Sequence, residues 1–220
     1  MTAIPHEVRP ANMQKAPKGK VPYAKIDGQL VGDSQSIIDV ISKMHGAEAL
    51  DAHLTAEQHA IGHTVRRMLE EATYFSAVYT RWIHDEGYRI LLPEFSKLLP
   101  KRLAPVLMSF IRRKIRKTLH LQGTGRHTFS EASAMGMRDI DALSVLMSDH
   151  AYLLGGHPSS YDATAFAFVE GILGFPHDSP MRVHAHSKAN LISYRERMRA
   201  RYFPELESEQ GEFLRSSRAA

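Results

Sequence analysis

The sequence predicts two units of different class: a small α/β piece over residues 1–46 and an all-α domain over 55–220, with a short linker near 46–54. Three observations predict this. Proline, glycine and short β-like runs crowd the first 45 residues. Asp27-Gly28 stands between two such runs, a strong hairpin signal because a type I′ turn needs positive φ at both central residues. From about residue 55, apolar residues recur at helical spacing behind capping-box residues.

The elements follow in order. "PHEVRP" (Pro5–Pro10) reads as a strand bounded by prolines, and "ANMQKAPKGK" (Ala11–Lys20) as a polar loop. "VPYAKI", Asp27-Gly28 and "QLVG" read as two strands around a tight turn. Pro22 stands where the first strand begins, a position that loses no ladder donor. "DSQSIIDVISKMHG" reads as a helix capped by Asp33 or Ser34, with Ile37, Ile38 and Ile41 on its apolar face and Gly46 ending it.

Thr55-x-x-Gln58 opens the helical part, with Ile61, Val65, Met68, Leu69, Ala72, Tyr79 and Trp82 at helical spacing. A second long helix is expected over Glu94–Leu119, with Pro100 or Pro105 as the point of interruption. Thr128-x-x-Glu131 opens a third segment, and Ser159-x-x-Asp162 a fourth that is apolar nearly all round, as the centre of a bundle requires. Asp178-Ser179-Pro180 reads as the turn into the last helix, which runs from about His186 to Tyr202.

The apolar fraction of 43% permits a packed core. No run approaches the ~18 apolar residues of a membrane span. The longest, "LAPVLMSFI" (Leu103–Ile111), contains Pro105. The N-terminus lacks a signal-peptide core, so the cytosol is the expected location. There are no cysteines, which excludes disulfides, thiolate zinc sites and a thiol nucleophile within the chain. The net charge of +4 is mild. Its main excess, "RRKIRK" (Arg112–Lys117), lacks the interleaved aromatics of a nucleic-acid reader and is expected to be a solvated helix face. His59-x-x-x-His63 puts two imidazoles on one helix face, but nothing corroborates a metal, and none is expected.

The order of units, together with "GKVPYAKIDG" and "GDSQSI", resembles the glutathione S-transferase superfamily. The resemblance implies a partial thioredoxin-like domain followed by an all-helical C-terminal bundle. It implies a cis bond before Pro22 that turns the N–H and C=O of Val21 toward an extended peptide, glutathione, which they pair as an extra strand would. It further implies that Ser34 and the N-terminus of the following helix take the γ-glutamyl carboxylate. Asp33 takes the ammonium, and Lys20 the glycyl carboxylate. Glutathione as cosubstrate, a small hydrophobic electrophile and a homodimer are the implied partners. Tyr74, Tyr79 and Trp82 are electrophile-side candidates by position only, and core positions suit them better.

"GTGRHT", "LLGGHPSSYDAT" and the aromatic run after them (within Gly123–Phe168) resemble the branch containing failed-axon-connections and metaxin-like proteins and their bacterial relatives. There Ser159 and Asp162 fix the buried helix and take no part in catalysis. Arg126 and His127 are read as helix-entry or interdomain residues. This branch leaves room for a second function, a non-catalytic binding or adaptor protein.

In the superfamily a strand and a helix precede the segment matching "IPHEVR", and the group that activates the glutathione thiol sits there. Only three residues precede Ile4, so no catalytic residue is carried over. Two explanations stand: Met1 is internal and the start lies upstream, or the chain is short and non-catalytic. The first is favoured, because a sheet without its central strand exposes unpaired edges.

Overall fold

The computed structural model describes residues 1, 4–12, 15–19, 21–45, 50–97, 99–100 and 102–204. Tyr23–Ile26 (β1) and Gln29–Gly32 (β2) pair antiparallel, with Tyr23 opposite Gly32 and Ile26 opposite Gln29. Asp27 and Gly28 join them at φ 46° and 86°, the left-handed pair that a type I′ turn requires. Ser34–His45 (α1) follows at once. Its cap is Asp33, whose Oδ1 accepts the N–H of Gln35 at 3.1 Å and of Ser36 at 3.2 Å. Ile37, Ile38 and Ile41 are half-buried. The stop expected at Gly46 lies outside the described residues.

One expected element does not form. Pro5–Pro10 is irregular and exposed, and the only sheet among the described residues is the β1–β2 hairpin. A strand needs a partner ladder, and the hydrogen bonds here stay local: Arg9 closes on Glu7 two residues away. Just beyond, the Asn12 N–H donates to the Tyr23 hydroxyl at 3.0 Å.

The helical domain opens with a long helical segment. Ala56–Met68 (α2) is capped by the Thr55/Gln58 box, and the Gln58 amide also donates to Leu154 O at 2.8 Å. A π-helical turn, Leu69–Thr73, leads into Tyr74–Val78 (α3), and a second, Tyr79–Ile83, closes the segment. The expected helix over Glu94–Leu119 is two helices. Asp85–Ser96 (α4) starts earlier and contains Pro93, and Ala104–Gln122 (α5) carries Pro105 in its first turn. Proline is tolerated there because the first N–H groups have no intrahelical acceptor.

Phe129–Met147 (α6) and Ser160–Gly174 (α7) start at the two further capping boxes. The final segment is also split. Pro180–His186 (α8) and Ala189–Tyr202 (α9) are separated at Lys188, where the chain leaves helical geometry (φ −98°, ψ 93°). The Ser187 hydroxyl closes α8 on His184 O at 2.7 Å.

Two apolar cores result among the described residues. The larger gathers Val65, Leu69, Ile140, Leu143, Phe166, Val169, Leu173, Leu191, Tyr194 and Met198 around α7. Burying one such Leu contributes about 1.5–3 kcal/mol. The smaller holds Trp82, Leu91 and Met108, with Tyr88, Ile111 and Phe175 against them. Trp82 is thus core, Tyr74 is exposed, and the Tyr79 hydroxyl donates to His127 O at 3.1 Å. Arg126 closes its own loop on His120 O at 3.0 Å. Most of the basic run is solvated, but Arg112 departs from that expectation. Its guanidinium donates to Trp82 O and Ile83 O at 2.8 Å each and to Asp85 at 2.6 Å, satisfying carbonyls that a helix end leaves unpaired. No described helix is long and apolar enough to cross a membrane.

The approach of α4 to the second π turn depends on a missing side chain. A Cβ on Gly87 would stand 1.9 Å from Thr80 O, a backbone atom. Gly87→Ala therefore forces the α4 backbone to shift. The expected loss is about 2–3 kcal/mol, at the upper end of overpacking changes, read as a lowered denaturant midpoint.

Candidate functional site

The hairpin brings four of the five sequence-predicted site residues together. The Val21–Pro22 bond is cis. The Asp33 N–H donates to Pro22 O at 3.3 Å, one step past the Tyr23–Gly32 pair. Val21, Pro22, Asp33 and Ser34 thus share one end of the hairpin, at the head of α1. The Val21 side chain is 50% exposed. Neither its N–H nor its C=O is hydrogen-bonded among the described residues. Lys20 lies outside the described residues.

Asp33 has φ 86°, a left-handed conformation uncommon for a residue with a Cβ. Asp and Asn tolerate it best because the short side chain bonds to the local backbone, as Oδ1 does here. That changes what α1 has to offer. The N–H groups of Gln35 and Ser36 are already taken by Asp33. The Ser34 hydroxyl, exposed, makes no hydrogen bond among the described residues, and Oδ2 of Asp33 likewise has none.

The structure adds residues that sequence reasoning missed. Arg66, on α2, is buried and donates through Nη1 to Gln35 Oε1. It also lies over the Tyr161 ring, 4.5 Å from the centroid. One turn further, burial and then the Asp33 charge push the Glu70 carboxyl above its ordinary value, against the pull of Arg66. A hydroxyl, a carboxylate oxygen and two main-chain groups, all without hydrogen-bond partners among the described residues, therefore gather at the hairpin end, with Arg66 and Glu70 of the helical part close enough to share its charge. Such a set suits a small zwitterionic peptide: main-chain groups for its amides, polar groups for its charged ends. The signal for Arg66 and Glu70 was absent from local spacing, because Arg66 meets Gln35 across 31 residues.

The other candidates are structural. Asp162 carries no open position and is held by four donors, described below. His59 and His63 are exposed. His59 reaches Tyr161 OH at 3.4 Å, and no third ligand-type group joins the pair among the described residues.

Each of the two parts of the chain is matched by a known family model. The family model described as glutathione S-transferase N-terminal domain matches residues 1–87. The model described as glutathione S-transferase, C-terminal domain matches residues 136–198. An isoprene-epoxide–glutathione S-transferase of Rhodococcus sp. (strain AD45) is 31% identical, over 86% of this chain and 80% of that protein. Failed axon connections of Drosophila melanogaster is 28% identical over 87% of this chain and 48% of its own length. The metaxin-1 homolog of Caenorhabditis briggsae is 24% identical over 92% and 65%. No solved structure gives a significant match.

Proposed function

Because the chain belongs to the glutathione S-transferase family, we propose that it binds glutathione at the hairpin end and presents the thiol to a small hydrophobic electrophile. The carrying observation is the unpaired main chain of Val21 beside cis-Pro22, one hydrogen bond from Asp33 and Ser34. The tripeptide lies along Val21 as an added strand. Ser34 Oγ takes its γ-glutamyl carboxylate. Asp33 Oδ2 takes the ammonium, with Lys20 on the glycyl carboxylate. A free thiol titrates near 8.5, so conjugation needs a group that favours the thiolate. That group is assigned to no described residue. The electrophile class carried over from the Rhodococcus relative is an epoxide. A homodimer, a cytosolic location and the division into residues 1–46 and 55–220 belong to the same reading.

Retention on immobilised glutathione, with elution by the free tripeptide, tests it. Ser34→Ala should weaken binding roughly tenfold, the value of one charge-assisted hydrogen bond of about 1.5 kcal/mol. Flow-through of the unaltered protein, with no calorimetric binding at millimolar glutathione, would defeat the reading. A second reading, a binding or adaptor protein without turnover, draws on the similarity to Failed axon connections and the metaxin-1 homolog, whose names state no transfer reaction. Glutathione retention without conjugation of a small epoxide would favour it.

A further inference from the structure

We propose that His84, Glu86 and His177 form a transition-metal site, with zinc as the best-suited ion, in the helical domain and separate from the hairpin site. One ligand atom from each lies within 4.8 Å of the others. His84 ends the long helical segment and caps α4, and Glu86 stands in the first turn of α4. His177 lies in the loop before α8, 91 residues from Glu86. Its Nε2 is already 3.3 Å from Glu86 Oε2. In a tetrahedral site with zinc–nitrogen bonds near 2.0–2.1 Å, neighbouring ligand atoms are about 3.3 Å apart. One pair thus has the spacing now, and the third group closes by roughly 1.5 Å at most. Glu86 is free to follow, since its side chain is 63% exposed.

A second, independent observation points to a ligand. His177 is only 6% exposed, and Nδ1 of both His84 and His177 is buried without a hydrogen-bond partner among the described residues. A buried polar atom left unpaired costs about 1–3 kcal/mol. The unpaired His84 Nδ1 gains a partner if it ligates a cation, while His177 ligates through the Nε2 that already faces Glu86. The surroundings favour a defined site. Phe129 stacks on His84 at 3.8 Å, and Phe175 stands edge-on to His177 at 6.3 Å. Asp85, the nearest other carboxylate in sequence, is occupied by Arg112 at 2.6 Å. Two imidazoles and one carboxylate suit zinc, or iron or copper in the same ligand class, better than calcium or magnesium, which prefer all-oxygen shells. Three protein ligands leave the fourth position to water or to an exogenous group.

Equilibrium dialysis of the metal-free full chain against Zn²⁺, and the visible spectrum of its Co²⁺ form, decide the matter. One tight equivalent is expected, with the absorption of four-coordinate Co²⁺ and a melting temperature that rises with free Zn²⁺. Glu86→Gln, on an exposed side chain, should weaken the tight equivalent tenfold or more. His177→Gln should abolish it, and His84→Gln serves if that variant fails to fold. The His59→Ala/His63→Ala double variant should leave it intact. Absence of any equivalent tighter than about 100 μM, or a tight equivalent that survives Glu86→Gln and His84→Gln, overturns the assignment. So does one lost in the His59/His63 double variant.

Discussion

Asp162→Ala is expected to cost about 3–5 kcal/mol of folding stability. The carboxylate is fully buried. Oδ2 accepts the N–H and the hydroxyl of Ser159, both at 2.8 Å, and Oδ1 accepts Leu153 N–H at 2.8 Å and the Tyr194 hydroxyl at 3.0 Å. Alanine strands three donors, each worth about 1–3 kcal/mol when left buried and unpaired, while the Tyr194 hydroxyl keeps Asp162 O at 3.1 Å. Leu153 and Ser159 N–H can only donate, while the Ser159 and Tyr194 hydroxyls can turn to accept, so Asp162→Asn recovers part of the loss, its NH₂ facing one of the two N–H groups whichever way it turns. Burial, and next the Asp162 charge, hold the Tyr194 phenol neutral and far above its ordinary value. Urea unfolding checks this. At about 2–4 °C per kcal/mol for a chain of this size, the melting temperature should fall by roughly 6–20 °C. A loss below about 1 kcal/mol would show that the buried network is dispensable.

Glu170→Gln should cost about 2–3 kcal/mol, with a pH signature of its own. Glu170 on α7 accepts from Arg195 at 2.9 and 3.2 Å and from Arg199 at 2.6 and 2.5 Å, two forked contacts that fasten α9. Such pairs combine charge with fixed geometry, and breaking one that is largely buried leaves cations uncompensated. Burial raises the Glu170 carboxyl, but the two arginines outweigh it and hold it below its ordinary value. A carboxyl depressed in the folded state adds stability above its unfolded value of about 4.3, and the gain disappears as pH falls through the folded value. The unaltered protein should therefore exceed Glu170→Gln by the full margin at pH 6. The margin should shrink steadily below about pH 4, as read from denaturant midpoints across pH. A margin independent of pH would remove the ion pairs from the explanation.

Local chemistry was legible in the sequence. Asp27-Gly28 specifies its turn, Thr55, Thr128 and Ser159 mark their helix starts, and Pro22 with Asp33-Ser34 marks the hairpin end, because each signal acts within a few residues. What failed depends on distant partners. Pro5–Pro10 has strand composition but no neighbouring strand among the described residues. The break between α4 and α5 contains Pro100, one of the two interruption points expected, whereas that between α8 and α9 falls at Lys188 with no proline to mark it. Arg66 meets Gln35, and His177 meets Glu86, only after the chain folds back, so neither pairing leaves a trace in spacing.

The two π turns decide which way the residues beyond them point. A π turn holds roughly one residue more than an α turn, and each residue advances the helix by about 100°. Two insertions therefore rotate the distal end by about 200° relative to an uninterrupted helix. Val65 and Leu69, on or just past α2, look into one apolar centre, while Trp82 looks into the other. Forcing all five residues of either turn into α geometry would swing Trp82 about a quarter of a turn out of its place beside Leu91 and Met108, whereas deleting the extra residue would keep it there. The bipartite interior of this domain is thus written into two extra residues on one rod.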